Sequence, residues 1–372
     1  MPDPTEVCEV VANGQRLSNW TNVEVTREFG AAATEFKLTA ADADKSGLAD
    51  AAARLPAGTE VQIVLAGTQV VNGLIYVRQG AMNPRGRSVM VQGLSRTAEL
   101  VIASHVAKGG QYKGYSFEQI ANAVTAPFGI KFQWAAMPAD AAKPFRDPQV
   151  FIGETAFSFL ERLARQRGIK LHDDEHGNLI GDDPAQGGGQ TATLEEGKNI
   201  WSIVTVTRDD TVFSRLDAIG QQKGDDNVFG KSASQVRATA TDPAVQRYRP
   251  LMIIAEEPSN QADLQSRVNR EIEERRWTAV QVQATVQGWI KPGGGLWKVG
   301  EYVDLKAPWT LPTSDGAARL FIQSVTFAQS PETPGTITTL GLALRPGGSI
   351  GQTNAQSPNV FTATPTKAEP VA

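Results

Sequence analysis

Hydrophobic and polar positions alternate along the first quarter of the chain. Val23 and Val25, Phe36 and Leu38, Val61, Ile63 and Leu65, Ile75 and Val77, and Val89 and Val91 recur at every second position. This period of two is the signature of half-buried strands. Asn13-Gly14 predicts a type I′ turn between Val10-Val11 and the strand leading to Trp20, because both residues tolerate positive φ. Further turn signals stand at Gly67, Gly73 and Asn83-Pro84. So many short strands between Val7 and about Ser95 predict a small antiparallel barrel or sandwich, which buries one face of each strand without long open edges.

The period then changes. After a short helical piece from Ser95 to about Ala103 and a Gly109-Gly110 break, the stretch from Tyr115 to Gly181 carries the same device twice: an amphipathic helix, a glycine stop and a strand beginning Gly-Ile-Lys. In SFEQIANAVTAPFGIKFQW, Ser116 and Gln119 have capping-box spacing, and Phe117, Ile120, Ala121 and Val124 form one stripe. Pro127 and Gly129 end the helix before Ile130, Phe132 and Trp134 alternate. In TAFSFLERLARQRGIKLHDD the stripe is Ala156, Phe159, Leu160 and Leu163, Glu161 and Arg165 pair across one turn, and Gly168 precedes Ile169 and Leu171. Neither unit has enough apolar surface alone, which predicts two halves of one α/β domain; the alternative is an unrelated pair of helix–strand units. Pro138 to Pro148 reads as a surface connection.

Beyond the linker-like run DDPAQGGGQ, Ile200, Ile203, Val204 and Val206 resume β character, and Gln221 to Val236 reads as a hairpin tip or exposed loop. Leu251 to Ala255 predicts a buried strand, and Asn260 with Asp263 opens a helix striped by Leu264, Val268 and Ile272, with Glu271 and Arg275 paired on its wet face. Strict alternation returns at Val280, Val282, Ala284 and Val286, and the last strands fall at Tyr302 to Leu305, Leu320 to Phe327, and Leu340, Leu342 and Leu344. The expected class is α+β, mostly β: two small barrel-like domains with an α/β domain between them and a helix inserted in the carboxyl-terminal region. The expected boundaries are 1–105, 110–185 and 190–346 with the helix at 260–277, followed by an extended tail at 347–372. The tail is Gly-, Pro-, Thr-, Ser- and Ala-rich, and is expected to be disordered unless a partner holds it.

Composition narrows the function. At 372 residues the chain is expected to form two or three domains. No run reaches about 18 uncharged apolar residues, so no membrane insertion is expected. The acidic start MPDPTEVCEV is unlike a secretory signal, which predicts assembly in the cytoplasm. The single cysteine, Cys8, excludes an internal disulfide and a thiolate zinc cluster, and its alternation with Val10 predicts a packed thiol. A net charge of -4 gives no basic excess for gripping a phosphate backbone.

Candidate chemistry is sparse. His172 to His176, HDDEH, matches a metallopeptidase pattern that needs both imidazoles on one helix face, yet the run follows a strand and precedes Gly177-Asn178, which predicts a solvated turn. His105 is the one other histidine available as a ligand. Asp42, Asp44, Ser46 and Gly47 imitate the start of a calcium loop, but the twelfth position is Ala53 where a bidentate glutamate is needed. Gly230-Lys231-Ser232 resembles the end of a phosphate-binding loop but lacks the earlier glycine at the right distance, since position 225 is Asp. Asp173-Asp174 and Asp209-Asp210 are adjacent acids, which on a strand point to opposite faces. No G-x-S-x-G nucleophile is present. No catalytic, cofactor-binding or metal-binding residue is therefore assigned, no cofactor is expected, and the partner-binding residues are not identified.

Five stretches carry a resemblance to a known family: SNWTNVEVTRE, GGQYKGYSFEQIANAVTAPFGIKFQW, ETAFSFLERLARQRG, TATDPAVQRYRPLMIIAEE and GWIKPGGGLWKVGEYVDL. Together they resemble the baseplate hub proteins (tail protein P) of Mu-like contractile-tailed bacteriophages, over nearly the whole chain to about Arg345. The resemblance implies a virion protein without enzymatic activity, a homotrimer at the distal end of the tail tube. In it two barrel-like domains per subunit would make a pseudo-sixfold ring between tube and spike, contacting other baseplate proteins, with DNA only in transit through the bore. An acidic balance suits such a bore. Two other readings stay open: an envelope hydrolase resting on HDDEH, and a carbohydrate-binding adhesin resting on Trp20, Trp134, Trp201, Trp277, Trp289, Trp297 and Trp309.

Overall fold

A computed structural model describes residues 6–42, 51–52, 54–84, 86–106, 112–186, 190–221, 235–255, 260–311, 316–332, 335–345 and 349–350. The calcium-like positions Asp44, Ser46, Gly47 and Ala53, the Gly230-Lys231-Ser232 run and the tail from position 351 lie outside these residues.

The amino-terminal alternation forms β1 (Cys8–Ala12), β2 (Gln15–Leu17), β3 (Asn22–Glu28), β4 (Glu35–Asp42), β5 (Glu60–Leu65), β6 (Thr68–Asn83) and β7 (Gly86–Ser95). Asn13 (φ 50) and Gly14 (φ 74) make the predicted turn, with Ala12 paired to Gln15. A short helix, α1 (Ala98–Ile102), leads to the central unit. There α2 (Phe117–Thr125), β8 (Phe132–Trp134), α3 (Ala156–Arg167), β9 (Lys170–Asp173) and β10 (Leu179–Asp182) share one core around Phe117, Ile120, Phe159, Leu160 and Leu179. The Ser116–Gln119 capping box is present, and both helices end in left-handed glycines, Gly129 (φ 66) and Gly168 (φ 71).

The remaining strands are β11 (Gln190–Glu195), β12 (Ser202–Thr207), β13 (Arg215–Gly220), β14 (Val236–Thr241) and β15 (Pro250–Ile254), followed by α4 (Gln261–Trp277). After α4 come β16 (Val280–Gln287), β17 (Tyr302–Lys306), β18 (Ala317–Gln329), β19 (Thr336–Ala343) and β20 (Ser349–Ile350). β14, β13 and β15 form a separate sheet, and α4 covers it with the predicted Leu264, Val268 and Ile272. Two expectations need correction here. β15 is an edge strand with Met252 and Ile254 exposed, because α4 covers only one of its faces. Glu271 is buried rather than wet, since Arg267 and Arg275, each four residues away, both bond its carboxylate at 2.6 and 3.0 Å. At the start of the tail, β20 pairs with β18.

The two β-rich stretches are one sheet, because β3 pairs antiparallel with β18. On either side of that seam the strands are arranged alike. The amino-terminal strands lie in the spatial order β1-β5-β6-β7-β4-β3, and the carboxyl-terminal ones in the order β11-β17-β18-β19-β16-β12. Rank by rank, these are the same strands in chain order, with β13 to β15 and α4 inserted between β12 and β16. The likeness reaches individual bonds. The β6/β7 ladder bulges past Tyr76 and the β18/β19 ladder past Gln323. The residue before each bulge is an isoleucine: Gly58 N–H donates to Ile75 O and Gly300 N–H to Ile322 O at 2.7 and 3.0 Å. One difference stands, since β1 runs antiparallel to β5 while β11 runs parallel to β17.

Candidate assembly surface

A structural protein acts through rigid junctions and free surfaces, and the chain builds both from recognisable residues. The first junction is the HDDEH run. It ends β9 and makes the hairpin turn to β10, as the strand-then-glycine pattern predicts, but it is only partly solvated: His176 is exposed while Asp173 is buried. Asp173 is buried, and its two carboxylate oxygens accept the Thr34 hydroxyl and the Thr34 N–H at 2.9 and 3.0 Å, with Arg27 Nε 3.7 Å away. Asn72 Nδ2 donates to the His176 carbonyl at 2.9 Å and Gln69 Nε2 to that of Glu175 at 2.8 Å. His172 packs its ring on Phe29, with centroids 5.2 Å apart. The two imidazoles therefore belong to a strand and a turn that plug the central unit into the amino-terminal strands. Sequence pattern located the turn but not the surface it plugs into, because Thr34 and Arg27 lie more than 130 positions away.

The second junction ties α4 to the central unit. Arg167 Nη1 lies 3.2 Å from Asp263 Oδ1, Lys170 Nζ 3.0 Å from Glu274, and Arg270 Nη2 donates to the Gln166 carbonyl at 2.5 Å while its Nη1 lies 3.4 Å from Asp140. Burial lowers the Arg270 guanidinium below its usual range, partly offset by Asp140. Arg345 sits where all the units meet, its guanidinium over Phe29, Phe321 and Trp277 at 5.3, 5.1 and 6.0 Å. The cleft there, lined by Lys170, Glu274, Trp277 and Arg345, encloses about 70 Å³. Small-molecule sites start at roughly 300 Å³. Among the described residues no group of three His, Cys, Asp or Glu side chains is placed to hold a metal, and no helix is long and apolar enough to cross a membrane.

The free surfaces are strand edges. β12 pairs with β16 on one side and, among the described residues, with no strand on the other. β6 pairs with β5 only up to Leu74, so its second half, 77–82, has β7 as its one strand neighbour among the described residues. Both edges expose apolar side chains: Val77, Met82, Val204 and Val206 are 47, 81, 57 and 45% exposed. The tryptophans are dispersed: Trp20, Trp289 and Trp297 are buried, while Trp201 and Trp309 are exposed in different segments.

Comparison with known proteins decides between these readings. Residues 7–95 match the family described as Mu phage baseplate assembly protein GpP-like, N-terminal, and residues 97–181 match the second domain of the baseplate hub protein gp44-like family. The baseplate hub protein gp44 of Escherichia phage Mu is 29% identical over 346 residues, covering 90% of this chain and 87% of the relative. Along nearly its whole length the chain resembles the Mu-like baseplate hub proteins. The 43 kDa tail protein of prophage MuSo2 from Shewanella oneidensis superposes on this hub chain with a TM-score of 0.75 at 26% identity, over 92% of this chain and 98% of that one. A tail protein from Neisseria meningitidis MC58 has the same fold, with a TM-score of 0.73 at 21% identity over 91% and 96% of the two chains. The hub chain is thus a virion tail component with a structural baseplate role, and its relatives are structural hub proteins rather than enzymes. Its mostly-β class with several sheets agrees with that fold.

Proposed function

We propose that this hub chain works as a homotrimeric adaptor at the tip of a contractile tail, joining the sixfold tail tube to the threefold spike around a channel for DNA. The observation that carries the reading is the repeated strand order: each chain presents two β modules of one strand order, so three chains present six. A trimer meets a sixfold partner on equivalent surfaces only if each subunit supplies two such modules. Assembly in the host cytoplasm, contacts with other baseplate proteins and passage of DNA without lasting binding belong to the same proposal, as does a division into units at 1–105, 110–185, 190–346 and a tail at 347–372. The polar junctions around Asp173 and Arg270 support it by holding the central unit and the inserted helix against the β modules. Light scattering of the purified chain, alone at high concentration and with the spike present, is expected to give the mass of three copies. A stable monomer or dimer under all those conditions overturns the adaptor.

A further inference from the structure

Within one chain the two modules are joined, among the described residues, by a single strand pairing, β3 on β18. Rank for rank, β3 corresponds to β12 and β18 to β6, and β12 and the second half of β6 each have an edge that stands free among the described residues. The modules thus carry a second copy of the seam's two halves, which are not paired with each other among the described residues. We infer that the free edge of β12 in one subunit pairs antiparallel with residues 77–82 of β6 in a second copy of the chain, repeating between subunits the seam that joins the modules within each.

The register follows from two internal alignments. β3 and β12 are matched through their hairpin neighbours: Asn22 lies opposite Thr39 and Ser202 opposite Thr285, and Thr21 N–H and Trp201 N–H donate to those same two carbonyls at 2.8 and 2.7 Å. β18 and β6 are matched through their bulges, Gln323 with Tyr76. The internal seam sets Thr326 opposite Thr26, Ala328 opposite Glu24 and Gln329 opposite Val23. Carried across, Gln79 faces Val206, Ala81 faces Val204 and Met82 faces Ile203 of the neighbouring copy. The Thr26 and Thr326 hydroxyls lie 3.0 Å apart, which marks that pair, and by transfer Gln79 with Val206, as one whose side chains stand close.

Side-chain chemistry fits the same occupant. An unpaired strand edge bearing exposed apolar residues is an aggregation hazard that proteins ordinarily blunt with charge, proline or a covering segment. Residues 202–207 contain no charge and no proline. The same edge is explained if another copy covers it. Because β12 and β6 are different surfaces, the contact runs head to tail, and such contacts close into a ring when the rotation permits. That the ring closes at three copies rests on the trimeric reading above.

The test is a disulfide across the seam in the full-length chain. Gln79→Cys combined with Val206→Cys is expected to oxidise to covalent dimers and closed trimers on non-reducing gels. Native Cys8 is buried in its strand and takes no part. Gln79→Cys with Thr207→Cys puts the thiols on opposite faces of the sheet and is expected to give only monomer. A trimer by light scattering that yields no more cross-link with the matched pair than with the shifted one overturns the strand pairing and leaves the trimer standing. A matched-pair ladder running past three copies keeps the pairing and overturns the trimer. A chain that is monomeric at every concentration and does not cross-link overturns both.

Discussion

Burial sets the acid–base behaviour of two side chains, Cys8 and His105. Cys8 alternates with Val10 and is buried as that pattern implies, its thiol pushed up to about 12 by burial with Glu9 adding to it. Asp173 could not be read in the same way, because what makes it a buried acceptor is Thr34, reached only through the fold. His105 shows the same limit and gives a pH prediction. Its Nε2 lies 2.5 Å from the Tyr112 hydroxyl and its ring stacks on Phe159. Burial lowers its pKa from the ordinary 6.5, with Glu154 opposing. The folded chain therefore binds fewer protons at this site than the unfolded chain does just below pH 6.5. The stability this group contributes is fully present above that value and is lost as pH falls toward the depressed folded value. Urea midpoints are expected to drop between pH 7.5 and 5.5, and to drop less in His105→Gln, whose side chain cannot titrate. An equal drop in both would assign the effect to carboxylates alone.

At the scale of elements, the helices were legible because caps and stripes are local. Ser116 and Asn260 each accept the N–H three residues on, as their spacing requires, Thr155 does the same for α3, and the stripes they precede form the cores beneath. The face of Glu271 was misread because pairing at four-residue spacing says that two side chains meet, not whether they meet in water. β15 was misread because an apolar run of five does not reveal how many of its faces are covered. What α4 docks against was equally invisible, since Asp140, Gln166 and Lys170 come from another unit. Arg270 joins α4 to that unit through the Gln166 carbonyl and Asp140. Removing a charged donor from a partly buried carbonyl costs on the order of 2 kcal/mol. Arg270→Ala is thus expected to lower stability by about 2 kcal/mol. Hydrogen exchange should quicken in α4 before it does in β6 or β7. Uniform loss of protection would mean that α4 and the β modules unfold as one body.

For the whole molecule, the repeat was the hardest feature to read and the most consequential. Asn19-Trp20-Thr21-Asn22-Val23 and Asn199-Ile200-Trp201-Ser202-Ile203 occupy matching places, yet share little beyond the asparagine and the spacing of apolar residues. Strand order preserves what sequence has lost, because a sheet tolerates any side chain that keeps its face. The seam between the modules also makes a prediction about how the chain divides. The β core runs through both modules, with Val23, Val25, Val325 and Phe327 buried together, whereas the central unit encloses its own core around Phe117 and Phe159. A fragment of residues 97–183 is therefore expected to be soluble and to unfold cooperatively in urea. A fragment of residues 6–95 keeps β3 but loses β18, which leaves the inner residues Val23 and Val25 beside an unpaired edge. It is expected to self-associate in light scattering, and Val25→Lys should worsen folding without curing the association, since that position faces the core. A monomeric, cooperatively folding 6–95 would show that the first module is complete without the seam, and that the pairing of β3 with β18 orients two finished modules rather than stabilising either.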